Sequence, residues 1–363
     1  MQTSSSDLNI WHYARSDLAK RLITSINIGL VSSFVLFAPR RIGKTEFLIN
    51  DLKPLAQENN YFVLYFNFYT DLTLSQSPAI LFKNKLRETI NNSIFDKIQI
   101  NEVKLPWCTI NLKSNKGIEE LDILELISLL SVKLQKKGMK LLILLDEIQE
   151  LEFNKESQPL VAGLRTALDL NKEIVKVVFT GSSQLGLKKM FQNNKAPFFH
   201  FSTSIEFPYF DKDFTDFLAK IYKQITKKTI DQVELYNIFC KLDKITLYIR
   251  EVLNIYILNP DLSLNDCYEI YNKQLHGNDD NNNKWQNFSD TEKAILLSIA
   301  NGVTNSFYSD KFAEFSSSKQ LEVSRGKIQR ALQQLTDNAV ITKNEGQIQI
   351  IDKDFEDWLK QDN

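Results

Sequence analysis

The chain has 363 residues, of which 43% are hydrophobic and 25% charged, so it is long enough for two or three domains with a sizeable core. Its formal net charge of −1 offers no general basic field for nucleic acid, so any DNA contact must come from a local patch. The three cysteines and three histidines are scattered, which argues against a disulfide framework and a zinc site. The sequence shows no signal-peptide pattern, and its longest apolar runs are too short to cross a bilayer. The cytoplasm is therefore the expected location.

Buried strands alternate with helices through the first 208 residues. A mostly helical lead-in covers residues 8 to about 30, and continuous apolar runs at 34–37, 62–68, 141–145 and 175–180 predict four strands. Helices are predicted at 45–53 (ended by Pro54), 77–97, 118–137 and 157–170, while 98–118 reads as an insertion or a short hairpin. This alternation is typical of βαβ units around a parallel sheet.

A phosphate-binding loop is predicted between the first strand and the helix after it. Its residues, with the one that follows, are Ala38, Pro39, Arg40, Arg41, Ile42, Gly43, Lys44, Thr45 and Glu46. Backbone N–H groups of such a loop wrap a β-phosphate, and the start of the helix adds a favourable field. Lys44 is expected to reach the β- and γ-phosphates, and the Thr45 hydroxyl to bind Mg²⁺. Gly43 is expected to permit close approach of the backbone, while Ala38 stands where the pattern usually has glycine.

Two carboxylates follow the third strand. Asp146 is expected to hold Mg²⁺, directly or through water, and Glu147 to polarise the attacking water as general base. The alternative is a solvated strand end, but five apolar residues before the pair and the upstream phosphate loop favour the functional interpretation. Glu147 also favours hydrolysis over passive binding. After the fourth strand, a hydroxyl of Thr180, Ser182 or Ser183 is a candidate to sense the γ-phosphate, the alternative being a turn of small residues.

The chain after residue 208 is helical to about 275, and the polar run 276–288 reads as a linker. A capping box at Ser289 and Glu292 then opens a helix, and Ser324 opens another with an apolar stripe. A hairpin at 340–350 follows, which completes a winged-helix pattern. The polar face of the second helix carries arginine and glutamine, which suit base edges. However, residues 289–363 hold nine Lys/Arg and twelve Asp/Glu, a net charge of −3, so a protein-contact module remains the alternative.

These motifs resemble those of the archaeal-type ATPase family, in the AAA+/STAND branch of P-loop NTPases. The resemblance rests on four segments, APRRIGKTEFL at 38–48, LLDEIQEL at 144–151, FTGSSQLGL at 179–187 and APFF at 196–199. The family often has an arginine after the last segment, where this chain has His200 and Phe201. Arg165 is another candidate arginine finger, the alternative being a solvated surface residue.

The resemblance implies an α/β fold: a P-loop NTPase αβα sandwich of AAA+ type over 1–208, a helical lid over 209–275, a linker over 276–288 and a winged-helix-like domain over 289–363. It implies ATP and Mg²⁺ as ligands. Arg250 would lie in the lid and reach the γ-phosphate, the alternative being a lid salt bridge. Lys44, Glu147 and Arg250 are thus the predicted catalytic residues. Members of the family are ATP-driven switches, many of them found with mobile elements or defence systems.

The sequence therefore predicts an ATP-hydrolysing switch that couples its nucleotide state to a partner. A protein is the expected partner, DNA is an alternative through the winged helix, and an ATP-dependent homo-oligomer is a further expectation. No membrane partner is expected. The rival interpretations are a nucleotide-gated binding module and a DNA-binding regulator, both with negligible ATP turnover.

Overall fold

A computed structural model describes residues 10–69, 77–91, 102–104, 109–111, 118–151, 157–192, 196–276, 279–303, 306–344 and 347–361. The chain divides into two compact units, Met1–Ile249 and Arg250–Asn363. This division differs from the domain boundaries at 208, 275 and 288 that the sequence suggests, and those boundaries stay predictions. No helix in the described ranges is long and apolar enough to cross a bilayer.

The first unit is built on a parallel sheet. The strands of the chain are β1 (Ser33–Phe37), β2 (Tyr61–Asn67), β3 (Glu102–Lys104), β4 (Thr109–Asn111), β5 (Lys140–Asp146), β6 (Val175–Gly181), β7 (Thr203–Glu206), β8 (Ile341–Asn344) and β9 (Gln347–Ile350). Five of them form the sheet in the order β2-β5-β6-β1-β7, with all neighbours parallel. The four apolar runs are β1, β2, β5 and β6, as predicted. Strands β3 and β4 pair antiparallel. They lie within 98–118, the stretch for which the sequence allows either an insertion or a short hairpin.

The helices of the chain are α1 (Ser16–Asn27), α2 (Lys44–Glu46), α3 (Lys53–Glu58), α4 (Pro78–Ile90), α5 (Ile123–Lys136), α6 (Gln158–Leu170), α7 (Gln184–Phe191), α8 (Lys212–Thr226), α9 (Gln232–Lys241), α10 (Thr246–Leu258), α11 (Leu264–His276), α12 (Asp279–Gln286), α13 (Asp290–Ala300), α14 (Asp310–Ser318), α15 (Arg325–Asp337) and α16 (Lys353–Gln361). A π-helical segment, Phe47–Leu52, joins α2 to α3. The prediction that Pro54 ends this helix is wrong. Pro54 lies in the first turn of α3, directly after the wider π turns, where the missing proline N–H is tolerated.

Two apolar layers enclose the sheet. Alternate residues of the strands face opposite sides, as Ile143 and Leu144 of β5 do. Residues of α4, α5, α6 and α7 cover the side that holds Ile143, and residues of α1 and the helical run after β1 cover the side that holds Leu144. These layers bury every residue of β5 after Lys140, which explains the continuous apolar sequence of the strand.

Helices α8 and α9 complete the first unit, packed against each other through Phe214 and Phe239, whose ring centroids are 5.4 Å apart. Tyr13 in the lead-in packs against Phe210, Phe214 and Phe217 at centroid distances of 5.1 to 5.8 Å. The segment before α1 is therefore fixed to the helical part of its own unit.

The second unit has its own core, in which buried residues of α13, α15 and α16 meet strands β8 and β9. The two helices and the hairpin predicted after residue 288 correspond to α13, α15 and the β8–β9 pair, whereas α14 between them was not predicted. The winged-helix assignment stays a prediction. The capping box of Ser289 and Glu292 is formed as predicted. The run predicted as a linker contains α12, and Trp285 and Phe288 pack against this core. Ser324 precedes α15 but makes no side-chain cap hydrogen bond.

Candidate nucleotide site

The sheet order brings the predicted site residues to one edge. Strand β6 lies between β1 and β5, with Leu36 opposite Thr180 and Leu145 opposite Phe179. The loop after β1, the end of β6 and the acidic end of β5 therefore lie side by side. In open α/β sheets, ligands bind in the crevice beyond the carboxyl ends of the strands, which is where these segments meet.

Two residues of the loop have left-handed backbones, Arg41 with φ 66° and Gly43 with φ 92°. The close approach of the Gly43 backbone to a phosphate stays a prediction, and the backbone gives a separate reason for glycine. A Cβ at this position would meet its nearest protein side-chain atoms only at 3.8 Å, an ordinary contact. The positive φ, in contrast, is costly for residues with a Cβ.

Lys44 is buried, with 5% of its surface exposed. Its Nζ donates to the carbonyl oxygens of Ala38 at 3.0 Å and Pro39 at 2.5 Å, so the ammonium group spans the loop that precedes it. Burial lowers the pKa of Lys44 to about 8, although Glu147 and Asp146 act in the opposite direction. A phosphate anion at this point would favour the charged form and raise this pKa again.

Asp146 is fully buried and accepts several hydrogen bonds. Its Oδ2 accepts from the Thr45 hydroxyl at 2.5 Å and from the Tyr65 hydroxyl at 3.2 Å. Its Oδ1 accepts from the Thr180 hydroxyl and from the backbone N–H of Glu147. Burial, and next the charge of Asp146, raise the pKa of Tyr65, so this phenol stays a donor. These donors satisfy a carboxylate that burial would otherwise penalise.

Glu147 also has a left-handed backbone, with φ 54°. Its Oε2 accepts from Ser182 N at 3.1 Å, from Ser182 Oγ at 2.7 Å and from Gln149 Nε2 at 2.5 Å. The end of β6 thus orients the carboxylate of Glu147. Left-handed non-glycine residues cluster at functional sites, where the surrounding structure holds them in place.

Gln149 and Gly181 fit closely together behind this carboxylate. Gln149 is fully buried, and a Cβ on Gly181 would lie 2.1 Å from its Oε1. The glycine at the end of β6 is thus required by the side chain of Gln149. No local sequence pattern marks this role of Gln149, because its neighbour Gly181 is distant along the chain.

Arg40 extends from the loop toward the same acidic end. Its Nε donates to Ser182 Oγ at 3.0 Å. Burial, and next the charge of Glu147, raise the pKa of Glu150. The charge of Arg40 opposes this rise. The site therefore combines two cations, Lys44 and Arg40, with a cluster of carboxylates.

The carbonyl groups of Arg41 and Ile42 are held from outside the loop. The Arg41 oxygen accepts from Thr246 Oγ1 at 3.0 Å and Leu247 N at 3.2 Å, and the Ile42 oxygen accepts from Arg15 Nη2 at 3.1 Å. The Arg41 side chain donates to the Tyr248 hydroxyl at 3.0 Å. Sequence reasoning missed Arg15, Thr246 and Tyr248, since nothing in a local pattern connects them to a loop at 38–45.

Three other predicted residues have different surroundings. Glu46 Oε2 lies 3.8 Å from His12 Nδ1, beside the lead-in. Arg165 donates to Asp169 at 3.0 Å and to the Pro197 carbonyl at 3.1 Å, so its side chain has a structural role in these contacts. Arg250 lies in α10, at the start of the second unit. The nucleotide contacts of Glu46 and Arg250, and the finger role of Arg165, stay predictions.

The donor set suits a magnesium ion that arrives with a nucleotide. Hydroxyl and carboxylate oxygens of Thr45 and Asp146 are the ligand types that Mg²⁺ prefers, and they lie side by side. No group of three or more His, Cys, Asp or Glu that could hold a metal occurs among the described residues. Magnesium usually combines one or two protein ligands with phosphate oxygens and water, so this small set fits.

No protein-family model matches the sequence, and no curated protein matches it. Solved structures do match. A Walker-type ATPase of Pyrococcus abyssi has a TM-score of 0.65 at 18% identity, covering 99% of this chain and 98% of that one. The ORC2 protein of Aeropyrum pernix in its ADP form has a TM-score of 0.58 at 14% identity, covering 99% of this chain and 96% of that one.

The chain shares the overall fold of these two structures. The predicted fold class, with its αβα core, is thereby confirmed, and so is the resemblance to archaeal ATPases at the level of fold. At 14 to 18% identity, the similarity establishes the fold alone. Activity has to be argued from the site itself.

Proposed function

We propose that this protein is an ATP-binding and ATP-hydrolysing molecular switch of AAA+/STAND type. The observation that carries the proposal is the convergence of Lys44, Thr45, Asp146 and Glu147 at one sheet edge. Thr45 Oγ1 bonds directly to Asp146, and both acids act electrostatically on Lys44. A basic loop at a helix start, facing two carboxylates, is what an Mg²⁺–triphosphate requires.

Each residue has a distinct part in the proposed reaction. The N–H groups of the loop and Lys44 bind the β- and γ-phosphates, and Thr45 and Asp146 hold the metal ion. When bound, Mg²⁺ would neutralise charge on the phosphate oxygens. Glu147, oriented by Ser182 and Gln149, accepts a proton from the attacking water. Ser182 also accepts from Arg40, which places a cation next to the water-activating group.

The switch would transmit its nucleotide state to a protein partner or a second copy of the chain. Thr246 and Leu247, at the start of α10, bond to the Arg41 carbonyl, so a change in the loop acts directly on that helix. Arg250 follows on the same helix and is the proposed γ-phosphate contact of the lid. The cytoplasm is the proposed location, and a mobile-element or defence system the proposed context.

Phosphate release from Mg²⁺–ATP tests the proposal. We expect wild type to release phosphate from ATP. In Lys44→Ala and Glu147→Gln, the rate of release should fall by about 100-fold or more. Lys220→Ala and Glu173→Gln, at exposed positions, are matched controls that should keep wild-type rates. Equal rates in all five proteins would reject the proposal.

The rival is a nucleotide-gated module that holds ATP without turnover. The nucleotide bound to the purified protein separates the two, because an enzyme accumulates ADP whereas a gated module retains ATP. The hydrogen bonds that orient the Glu147 carboxylate favour the enzyme.

A nucleic-acid partner is a second candidate, favoured by the exposed face of α15. Lys327, Gln329, Arg330, Gln333 and Gln334 are exposed there, while Ile328, Ala331 and Leu335 are buried. Filter binding of duplex DNA at several salt concentrations tests it. Phosphate contacts by Lys327 and Arg330 would give a salt dependence that becomes less steep in Lys327→Ala, whereas no binding at low salt would reject this candidate.

A further inference from the structure

Arg15, in the lead-in before α1, is buried with 8% of its surface exposed. Its guanidinium carbon lies 3.4 Å from the ring centroid of Phe210 and 4.4 Å from that of Phe207. Its Nη2 donates to the carbonyl oxygens of Ile42 at 3.1 Å and Pro208 at 3.2 Å. A buried guanidinium group in contact with two rings and two carbonyl groups has little freedom to move.

The backbone of Arg15 is fixed as well. Its N–H donates to Asp51 Oδ2 at 2.9 Å, and His12 Nε2 lies 2.7 Å from Asp51 Oδ1. Asp51 belongs to the helical run that begins at Lys44. The lead-in is therefore attached to the helix after the phosphate loop through Asp51, and to the loop itself through the Arg15 side chain.

The contact with Ile42 bears on phosphate binding through the geometry of the peptide group. In a trans peptide the C=O of one residue and the N–H of the next point in opposite directions. Arg15 donates to the Ile42 carbonyl oxygen, so the N–H of Gly43 points away from the Arg15 side chain. Thr246 and Leu247 hold the Arg41 carbonyl in the same manner, which directs the N–H of Ile42.

These two anchors lie close behind the glycine. A Cβ on Gly43 would be 3.8 Å from Arg15 Nη1 and 3.8 Å from Thr246 Oγ1. The positive charge of Arg15 is consequently near the phosphate site without being exposed to it. Because the left-handed backbone of Gly43 has alternatives of similar energy, external anchors are needed to keep one conformation.

We propose that Arg15 is a positioning residue for the polyphosphate chain, which acts by fixing the 42–43 peptide group of the loop. The inference rests on the proposed function. The inference extends the proposed function, because it assigns the orientation of the loop N–H groups to a side chain outside the loop. Arg15 therefore supports binding of the polyphosphate part of the ligand rather than binding of its nucleoside.

The test measures dissociation constants for Mg²⁺–ATP and for inorganic tripolyphosphate, at a temperature where every variant is folded. Arg15→Met keeps an unbranched side chain beside the two rings and removes the donors and the charge. Arg15→Lys keeps the charge without the planar fork. Arg87→Met is the matched control, because Arg87 also donates to backbone carbonyl oxygens, those of Ile118 and Glu119, and has no part in the proposed site.

We expect both ligands to bind about tenfold or more weakly to Arg15→Met, and by similar factors, since both use the same N–H groups. Arg15→Lys should show an intermediate loss and Arg87→Met none. The inference is overturned if Arg15→Met binds tripolyphosphate like wild type, if only ATP weakens, or if Arg87→Met loses as much. If Arg15→Met does not fold, Arg15→Lys decides by the same comparison. Absence of binding to wild type would overturn the proposed function itself.

Discussion

The hydroxyl of Thr45 lies 2.5 Å from Oδ2 of Asp146, although the two residues are separated by 101 positions. Thr45 lies in the first turn of the helix after β1, and Asp146 ends β5, two strands away in the sheet. The contact joins the phosphate loop to the acidic strand end. The metal-dependent part of the proposed chemistry depends on this pair.

Removing either member of this pair should reduce the benefit that Mg²⁺ gives to ATP binding. In Asp146→Asn or Thr45→Ala, we expect the ratio of the ATP dissociation constants without and with Mg²⁺ to fall about tenfold, because one oxygen ligand is lost. Titration in Mg²⁺ and in EDTA measures this ratio. Thr45→Ser keeps the hydroxyl and should keep the ratio, and an unchanged ratio in Asp146→Asn would contradict the assignment.

ATP binding should weaken at alkaline pH through Lys44. Its pKa is lowered to about 8, first by burial, so above that pH the unliganded protein holds a neutral lysine that must take up a proton to bind phosphate. The dissociation constant should be nearly flat from pH 7 to 8 and rise about tenfold per unit above it. Calorimetry in buffers of different ionisation enthalpy should detect the proton uptake.

Lys44→Arg is the control for that pH profile, because a guanidinium group stays charged throughout the range. Whatever its absolute affinity, the dissociation constant of this variant should not rise in the same interval. A rise of equal size in both proteins would show that another group is responsible.

Loss of the Ser182 hydroxyl should slow turnover with little effect on ATP affinity. Ser182→Ala removes one hydrogen bond that orients Glu147 and the acceptor of the Arg40 Nε–H. We expect kcat to fall about tenfold with KM nearly unchanged, because orientation matters in the chemical step. Steady-state phosphate release measures both constants.

The neighbouring Ser183 provides a control for that variant. Its hydroxyl accepts from Gly186 N at 3.1 Å and caps α7. Ser183→Ala should lower the free energy of unfolding by about 1 kcal/mol and leave kcat close to wild type. A KM effect in Ser182→Ala as large as the kcat effect would argue against the orienting role.

Truncation in the central strand should test the fold. Leu144 is fully buried in β5, so Leu144→Ala should lower the free energy of unfolding by about 2–5 kcal/mol. Leu170→Ala, at a position that is 37% exposed, should cost less than about 1 kcal/mol. Urea unfolding curves followed by circular dichroism give both values, and similar costs at the two sites would contradict the placement of β5.

The sheet was predictable where the strands are buried on both faces. Short continuous apolar sequences such as Leu141 to Leu145 are typical of strands that are buried on both faces. Strand β7, in contrast, was not predicted. Thr203, Ser204 and Glu206 are exposed at the sheet edge, so no apolar pattern marks them.

The chemistry of the site was predictable only where it is local in sequence. Lys44, Thr45, Asp146 and Glu147 belong to two short motifs whose relative position follows from a parallel sheet. Arg15, Tyr65 and Gln149 contact the same loop and strand ends through tertiary packing, which a single sequence does not encode as a pattern.

A crystal structure with a non-hydrolysable ATP analogue and Mg²⁺ tests the central claim most directly. The account predicts the β-phosphate inside the loop, Lys44 Nζ moved from the Ala38 and Pro39 carbonyls to phosphate oxygens, and a metal ion bound between Thr45 and Asp146. A nucleotide bound elsewhere, with Lys44 still on those carbonyls, would contradict it.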